Sequence, residues 1–217
     1  MKLRVDSPVI QAGIKVTNLL ILNLYWILGC VPLVTIGTST IAAYTVCERL
    51  AEDREGVSMT RQFWGAYKAN LGHGIALTLI FAAAGYAAWM NWQLFDKLDG
   101  NPMGFLFLSI VLIILILAHG LYVFALEARY ENQLFSALNN SRRIFLRFFP
   151  RTLGLVGILF IQYLLFFQTT YVLVFVGIFL APILAIYTTS QMAMPIFRKL
   201  EDDGLAQDAL TVSGEQD

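Results

Sequence analysis

The side chains best suited to chemistry in this sequence are few and far apart. The two histidines, His73 and His119, have no carboxylate or cysteine at a spacing typical of a metal site. We find no phosphate-binding loop and no nucleophile motif of useful specificity. The two cysteines, Cys30 and Cys47, stand in apolar surroundings, which is typical of free, buried thiols. The sequence therefore predicts a protein that is not an enzyme and that carries no metal or cofactor.

Charge is scarce and unevenly spread along the chain. Of the 217 residues, 58% are hydrophobic and 14% are charged, whereas soluble domains carry about 25% charge. Four stretches contain no Lys, Arg, Asp or Glu: 16–47, 69–95, 100–126 and 152–197. A spanning helix needs about 20 apolar residues, so these stretches predict an all-α integral membrane protein.

Interruptions divide the apolar stretches into six membrane segments, which we expect to form a bundle of three helical hairpins. Pro32 and Gly37 suit a turn, and a hydroxyl at 38–40 would cap the helix that follows. The sequence "QTT" at 168–170 breaks the last stretch. The predicted segments are about 16–31, 36–50, 74–95, 103–126, 153–167 and 171–197. Residues 1–200 would form one transmembrane domain, and 201–217, with six acids and no base, a disordered cytoplasmic tail.

The distribution of basic residues favours this arrangement. With three hairpins, Lys97 is the one base of 15 that lies away from the face carrying both termini. The positive-inside rule then places both termini in the cytoplasm. A single crossing by 16–47 would separate Lys2, Arg4 and Lys15 from the other basic loops. Five spans plus a re-entrant segment at 33–50, which does not fully cross the membrane, stays open as an alternative.

Two connectors between hairpins mix bases with aromatic residues, as amphipathic interfacial helices do. They are "RQFWGAYKANLGHG" (61–74) and "SRRIFLRFFPRTLG" (141–154). Such segments either contact anionic lipids or dock a cytoplasmic partner, and the sequence leaves both open. The residues expected at this surface are Arg61, Trp64, Lys68, Arg142, Arg143, Phe145, Arg147, Phe148, Phe149 and Arg151.

Uncharged polar residues lie inside the predicted spans, where they are costly unless bonded. They either hydrogen-bond across helices and fix packing or line the path of a neutral solute. The candidates for solute contact are His119, Gln162, Asn91, Thr38, Ser39 and Thr40. No Asp, Glu, Lys or Arg lies at the middle of a predicted span, which disfavours proton- or sodium-coupled transport.

Three stretches resemble the YesL family, the domain of unknown function 624, over about residues 10–200. They are "LNLYWILGCVPLVTIGTSTIAAY", "FWGAYKANLGHG" and "EARYENQLFSALNNSRRIFLRFFPRTL". Thr38 stands where the family more often has proline. The most specific positions, for which we expect structural roles, are Asn23, Trp26, Pro32, Thr35, Ile36, Gly37, the stretch from Phe63 to Asn70, Glu127 and Asn132.

The resemblance implies a multi-span protein of the bacterial cytoplasmic membrane with no established activity. Members of this family often accompany sugar importers of the ATP-binding-cassette type and carbohydrate-degrading enzymes. We therefore expect a non-catalytic membrane subunit or accessory factor of carbohydrate uptake, which contacts importer components through the two connectors. The alternatives are a stand-alone channel or transporter for a neutral solute and a membrane sensor of a small molecule. No nucleic acid is expected as a partner, and a homo-oligomer stays open.

Overall fold

The structure is a computed structural model that describes residues 8–51, 58–97, 103–130, 134–168 and 171–202. Within these residues, all regular secondary structure is helical. A 3-10 turn, Leu33–Thr35, separates the first two helices. The helices are α1 (Pro8–Gly29), α2 (Ile36–Ala51), α3 (Met59–Ala69), α4 (Leu71–Lys97), α5 (Met103–Arg129), α6 (Leu134–Arg147), α7 (Phe149–Phe167) and α8 (Tyr171–Asp202).

The prediction of an all-helical membrane bundle is confirmed, and each predicted segment corresponds to one helix. Four stretches are long and apolar enough to cross a membrane: Leu71–Phe95, Met103–Arg129, Phe149–Phe166 and Leu180–Glu201. The apolar part of α1, Gly13–Gly29, is shorter, and α2 has 16 residues. Helix α8 extends to Asp202, into the segment expected to be a disordered tail, while 203–217 lie outside the described residues.

Helix α2 lies at the centre of the bundle and packs against α1, α3, α4, α5 and α8. Small side chains allow this close packing, as they do between membrane helices generally. Ala42, Ala43 and Ser39 have no exposed surface, and neither does the larger Ile41. Helix α2, the shortest of the helices formed by the predicted membrane segments, is therefore also the most enclosed.

The turn between α1 and α2 forms where Pro32 predicts it. Thr35 Oγ1 donates to the carbonyl of Gly29, 2.8 Å away, and also lies 2.7 Å from the carbonyl of Pro32. The expected cap at 38–40 is wrong, because α2 begins at Ile36 and these hydroxyls lie inside it. Instead, the free N–H of Gly37 donates to Thr78 Oγ1 of α4 at 2.8 Å, which satisfies one of the unpaired donors of a helix start.

Most buried side chains gather toward one end of the bundle, where α2, α5 and α8 finish and α4 begins. We call this the polar end, because buried charged residues accompany the apolar ones there. Its core contains Tyr44, Cys47, Tyr122, Ile196 and Phe197, from α2, α5 and α8. Toward the opposite end, large apolar side chains of α4, α5 and α7 are exposed, as lipid-facing residues are.

The two predicted connectors, 61–74 and 141–154, overlap the amphipathic helices α3 and α6, but each also includes the start of the next helix, α4 or α7. Helix α3 turns Phe63 into the core, and α6 turns Ala137, Ser141 and Ile144 toward the bundle. Helix α6 packs mainly along α5, so the chain folds back on itself after the hairpin formed by α4 and α5. The opposite faces of α3 and α6 carry the bases.

Candidate functional site

A cavity of about 900 Å³ opens at the polar end between α2, α3, α4 and α5. This volume falls within the range of small-molecule sites. Its walls carry polar groups from three consecutive helices and from the more distant α5: Arg49, Arg61, Gln62, Asn70, His73 and Glu127. Gly65 of α3 has no side chain and that of Ala69 is small, so these two residues leave the cavity open.

A histidine–carboxylate pair forms one wall of the cavity. Nδ1 of His73 lies 2.9 Å from Oε2 of Glu127. The Glu127 side chain is only 1% exposed, whereas that of His73 is 48% exposed. A buried carboxylate is costly unless it is paired, so His73 stabilises Glu127, and Glu127 in turn fixes the orientation of the imidazole ring. Oε1 of Glu127 is also buried and has no hydrogen-bond partner among the described residues.

Arg129 joins three helices next to the cavity. Its Nε donates to Oε1 of Glu201 at 2.9 Å, and its Nη1 lies 3.9 Å from Oε2 of Glu48. The guanidinium also stands 5.9 Å from the ring centroid of Phe197. Tyr130 donates its hydroxyl to Glu201 at 2.7 Å, and burial raises the pKa of that phenol, which keeps it a donor. We call Glu48, Arg129, Tyr130 and Glu201 the arginine clamp, since it ties α5 to α2 and α8.

Asn70 forms the junction between α3 and α4 at the edge of the cavity. Its backbone N–H and its Nδ2 both donate to the carbonyl of Ala66, at 3.0 and 2.9 Å. These bonds satisfy the end of α3 where it has no further helical partner. The next residue, Leu71, begins α4, so Asn70 sets the angle between the connector and the first long span.

The predicted docking residues of the second connector divide between two helices. Arg142, Arg143 and Arg147 lie on α6, and Phe149 and Arg151 begin α7. We call the exposed residues Arg142, Arg143, Phe149 and Arg151 the basic surface. Phe145 is half-buried, and Phe148 lies in the core with the Arg147 guanidinium 5.7 Å from its ring centroid. Phe148 is thus a packing residue rather than part of an open surface.

The predicted docking residues of the first connector also divide into exposed and half-buried side chains. Arg61 and Lys68 are exposed, and Arg61 lines the cavity. Trp64 is half-buried within an aromatic cluster, 5.2 Å from Phe63 and 5.4 Å from Tyr67 between ring centroids. Its ring also lies 6.4 Å from that of Tyr25 in α1, which attaches α3 to the bundle and leaves part of the Trp64 ring covered.

The candidate solute contacts are separate from the cavity and from each other. Gln162 donates to Thr188 Oγ1 at 2.9 Å, which joins α7 to α8. Asn91 donates to Ser109 Oγ at 2.6 Å, which joins α4 to α5. His119 Nδ1 bonds to the carbonyl of Leu115 in its own helix. The hydroxyls of Thr38, Ser39 and Thr40 lie within the packed start of α2, where Thr40 also accepts the indole N–H of Trp26.

The residues that carried the family resemblance take structural positions. Asn23 is buried in α1, and Thr35 and Gly37 form the contacts of the α1–α2 turn. Trp26 joins α1 to α2, Pro32 precedes the 3-10 turn, and Ile36 is the first residue of α2. Glu127 forms the pair with His73, and Asn132 lies outside the described residues.

Comparison with protein families supports the resemblance. Residues 19–92 match a family model described as a protein of unknown function, DUF624. The resemblance predicted from the sequence is therefore confirmed over these residues. The DUF624 match runs from the middle of α1 to the far part of α4, so it includes the α1–α2 hairpin and three of the cavity's four walls. Comparisons with curated proteins and with solved structures found no match.

The sequence analysis missed the pairings that build this end of the molecule. His73 and Glu127 are 54 residues apart, and Arg129 and Glu201 are 72 apart. One signal was available: Glu48, Glu127 and Arg129 all stand where a long uncharged stretch ends. Charges at the same end of neighbouring spans meet in one layer, and charges of opposite sign in such a layer tend to pair.

Proposed function

We propose that this protein is a non-catalytic membrane subunit or accessory factor of carbohydrate uptake. Its basic surface on α6 and α7 docks an acidic segment of an importer component. The observation that supports docking is the set of exposed cations, Arg142, Arg143 and Arg151, beside an exposed Phe149. Opposite charge steers such a contact, and an aromatic side chain anchors it. The link to carbohydrate uptake comes from the resemblance to a family whose members often accompany sugar importers and carbohydrate-degrading enzymes.

The proposal places the polar end in the cytoplasm of a bacterial cell, with both termini on that side. The bases of α3, α6 and the start of α7 gather at this end, as the positive-inside rule requires. Lys97 lies at the end of α4, away from the polar end.

Reversing two charges of the basic surface should break the complex with the importer. In the full chain carrying Arg142→Glu and Arg143→Glu, we expect at least a tenfold loss of ATP-binding-cassette importer components after purification from native membranes in mild detergent. Both side chains are exposed, so the fold should be retained. Quantitative mass spectrometry of the permease and ATPase subunits of the co-purified importer is the measurement.

The matched control is Lys199→Glu, which changes an exposed base of α8 outside the basic surface. It should recover the same importer components as the unchanged protein. Intact complexes in the double variant would contradict the docking proposal. Loss of binding to vesicles containing phosphatidylglycerol, with complexes unchanged, would assign the basic surface to anionic lipid instead.

The cavity favours one second candidate, a membrane sensor of a small molecule. It combines cations from Arg49 and Arg61 with the amide of Gln62 and with the His73–Glu127 pair. Such a set of donors and acceptors suits a polar solute with hydroxyl or anionic groups. The transporter alternative has no comparable support, because none of the candidate solute contacts lines this cavity.

Filling the cavity should abolish binding if the protein is a sensor. Gly65 lines the cavity, and a Cβ placed on it meets no atom within 4 Å. With glucose, galactose and their 6-phosphates as probes, we expect at least one to raise the unfolding temperature of the purified protein. Gly65→Leu should abolish that rise, whereas Gly154→Leu, also at an open position outside the cavity, should retain it. No rise with any probe would count against the sensor.

A further inference from the structure

The turn between α1 and α2 lies part-way along the bundle rather than at its far end. Gly37 donates to Thr78 of α4, and Gly74 of α4 lies against the backbone of Thr38. Helix α4 then continues from Thr78 to Lys97, about 28 Å at 1.5 Å per residue. The hairpin therefore accompanies only the first part of α4.

Helix α5 shows the same depth. All buried residues of α5 for which burial is described fall between Ala118 and Glu127, and Val123 packs with Ile41 of α2. The part of α5 from Met103 to Leu117 extends about 22 Å beyond them. Helices α4 and α5 thus place the turn well inside the bundle.

The aromatic residues of α4 mark where the far membrane surface lies. Trp89 and Trp92 are both exposed, and the ring of Trp92 stacks on Phe95 at 5.6 Å. Exposed tryptophans of this kind concentrate at the membrane–water interface. Trp92 stands about 21 Å along the helix from Thr78, and the hydrocarbon core is about 30 Å thick. The turn beside Thr78 therefore falls within the hydrocarbon layer.

The exposed surface of the turn is apolar. Val31 and Leu33 are 74% and 76% exposed, and Val34 is 48% exposed. Thr35, the hydroxyl residue of the turn, is buried instead. In water this arrangement would be unfavourable at about 25 cal/mol for each Å² of apolar surface. Against acyl chains it costs nothing.

Several backbone groups of the turn bond within the protein, as polar groups in a lipid environment must. The N–H groups of Cys30, Val31 and Thr35 donate to carbonyls within the turn or the end of α1. Pro32 has no N–H to satisfy. The carbonyl of Gly29 accepts the hydroxyls of both Thr35 and Tyr67, at 2.8 and 3.3 Å.

We propose that α1 and α2 form a re-entrant hairpin, which enters the membrane from the polar end and returns to it without crossing. Its tip, Val31, Leu33 and Val34, contacts lipid acyl chains. Helices α4, α5, α7 and α8 then cross the membrane, and the hairpin occupies the part of the bundle that lies toward the polar end. The proposal holds whether or not the basic surface docks an importer.

Site-directed spin labelling and thiol labelling test the depth of the tip in the full chain. Leu33→Cys is placed in a Cys30→Ala, Cys47→Ala background and reconstituted in phosphatidylcholine vesicles. We expect collisions with oxygen to exceed those with a water-soluble nickel chelate, as at Phe107→Cys, an exposed position on α5. A membrane-impermeant maleimide should react at least tenfold more slowly than at Arg142→Cys, from either side.

Two further positions report the two surfaces. Arg142→Cys should react with the impermeant maleimide from the cytoplasmic side, and Met103→Cys, exposed at the start of α5, from the opposite side. If Leu33→Cys reacts from the same side as Met103→Cys, the hairpin crosses the membrane and the proposal is wrong. Rapid reaction from the Arg142 side would equally overturn it, because the tip would then lie in water. Val31→Cys repeats the test if Leu33→Cys does not fold.

Discussion

Gly74→Ala should be among the most destabilising single changes in this protein. A Cβ at position 74 would overlap the backbone nitrogen and Cα of Thr38, as well as its hydroxyl. Backbone atoms of a packed helix cannot move aside cheaply, so α2 and α4 would have to separate. Overpacking of this kind costs about 3 kcal/mol at the upper end of its usual range. We expect the free energy of unfolding in detergent to fall by about that amount.

The matched control is Gly85→Ala, in the same helix, where an added Cβ meets no atom within 4 Å. Alanine is the better helix former by up to about 1 kcal/mol, so this change should be neutral or stabilising. The measurement is unfolding of both variants, followed by tryptophan fluorescence. Equal stability of the two would mean that α2 and α4 do not touch at Gly74.

Arg129→Met should also cost about 3 kcal/mol of stability, by removing the cation of the arginine clamp. The side chains of Arg129 and Glu48 are 15% and 7% exposed, so their charges are largely shielded from water. Methionine keeps an apolar stem of similar length but leaves Glu48 and Glu201 without their shared guanidinium. The helices α2, α5 and α8 would lose the charged contact that they share, while their apolar contacts at the polar end would remain.

The clamp predicts a specific pattern among variants. Glu201→Gln should cost less than Arg129→Met, about 1 kcal/mol, because the Glu201 side chain is 38% exposed and its pair is screened by water. Adding Glu48→Gln to Arg129→Met should recover part of the loss, since it removes a buried charge. Arg142→Met, at an exposed position, should stay within about 0.5 kcal/mol of the unchanged protein. Equal losses for Arg129→Met and Arg142→Met would contradict the role given to the clamp.

The clamp and the cavity meet in α5. Glu127 faces His73 across the cavity, and two residues later Arg129 holds Glu48 and Glu201. A shift of α5 would therefore change the cavity and the clamp together. If a small molecule or a docked partner acts on this protein, the end of α5 is the element through which both sites would respond.

Local properties of the sequence were sufficient to predict the helices and their breaks. Uncharged stretches predict spans because the membrane interior excludes charge, and Pro32 predicts a turn because proline cannot continue a helix. The amphipathic character predicted for 141–154 follows from the spacing of its bases and aromatic residues, and the structure places the first part of this stretch in α6. Each of these inferences depends on neighbours in sequence, and each corresponds to an element of the structure.

Only the tertiary structure shows how far the first hairpin extends along the other helices of the bundle and which charged side chains pair. The 32 uncharged residues from Val16 to Cys47 are compatible with a full crossing or a re-entrant turn, since hydropathy does not record depth. The contact of Gly37 with Thr78 places the turn beside the first part of α4, and our proposal of a re-entrant hairpin is built on it. Only the tertiary structure shows that His73 pairs with Glu127 and Arg129 with Glu201. Such pairing depends on which helix ends pack side by side, which is a property of the assembled bundle.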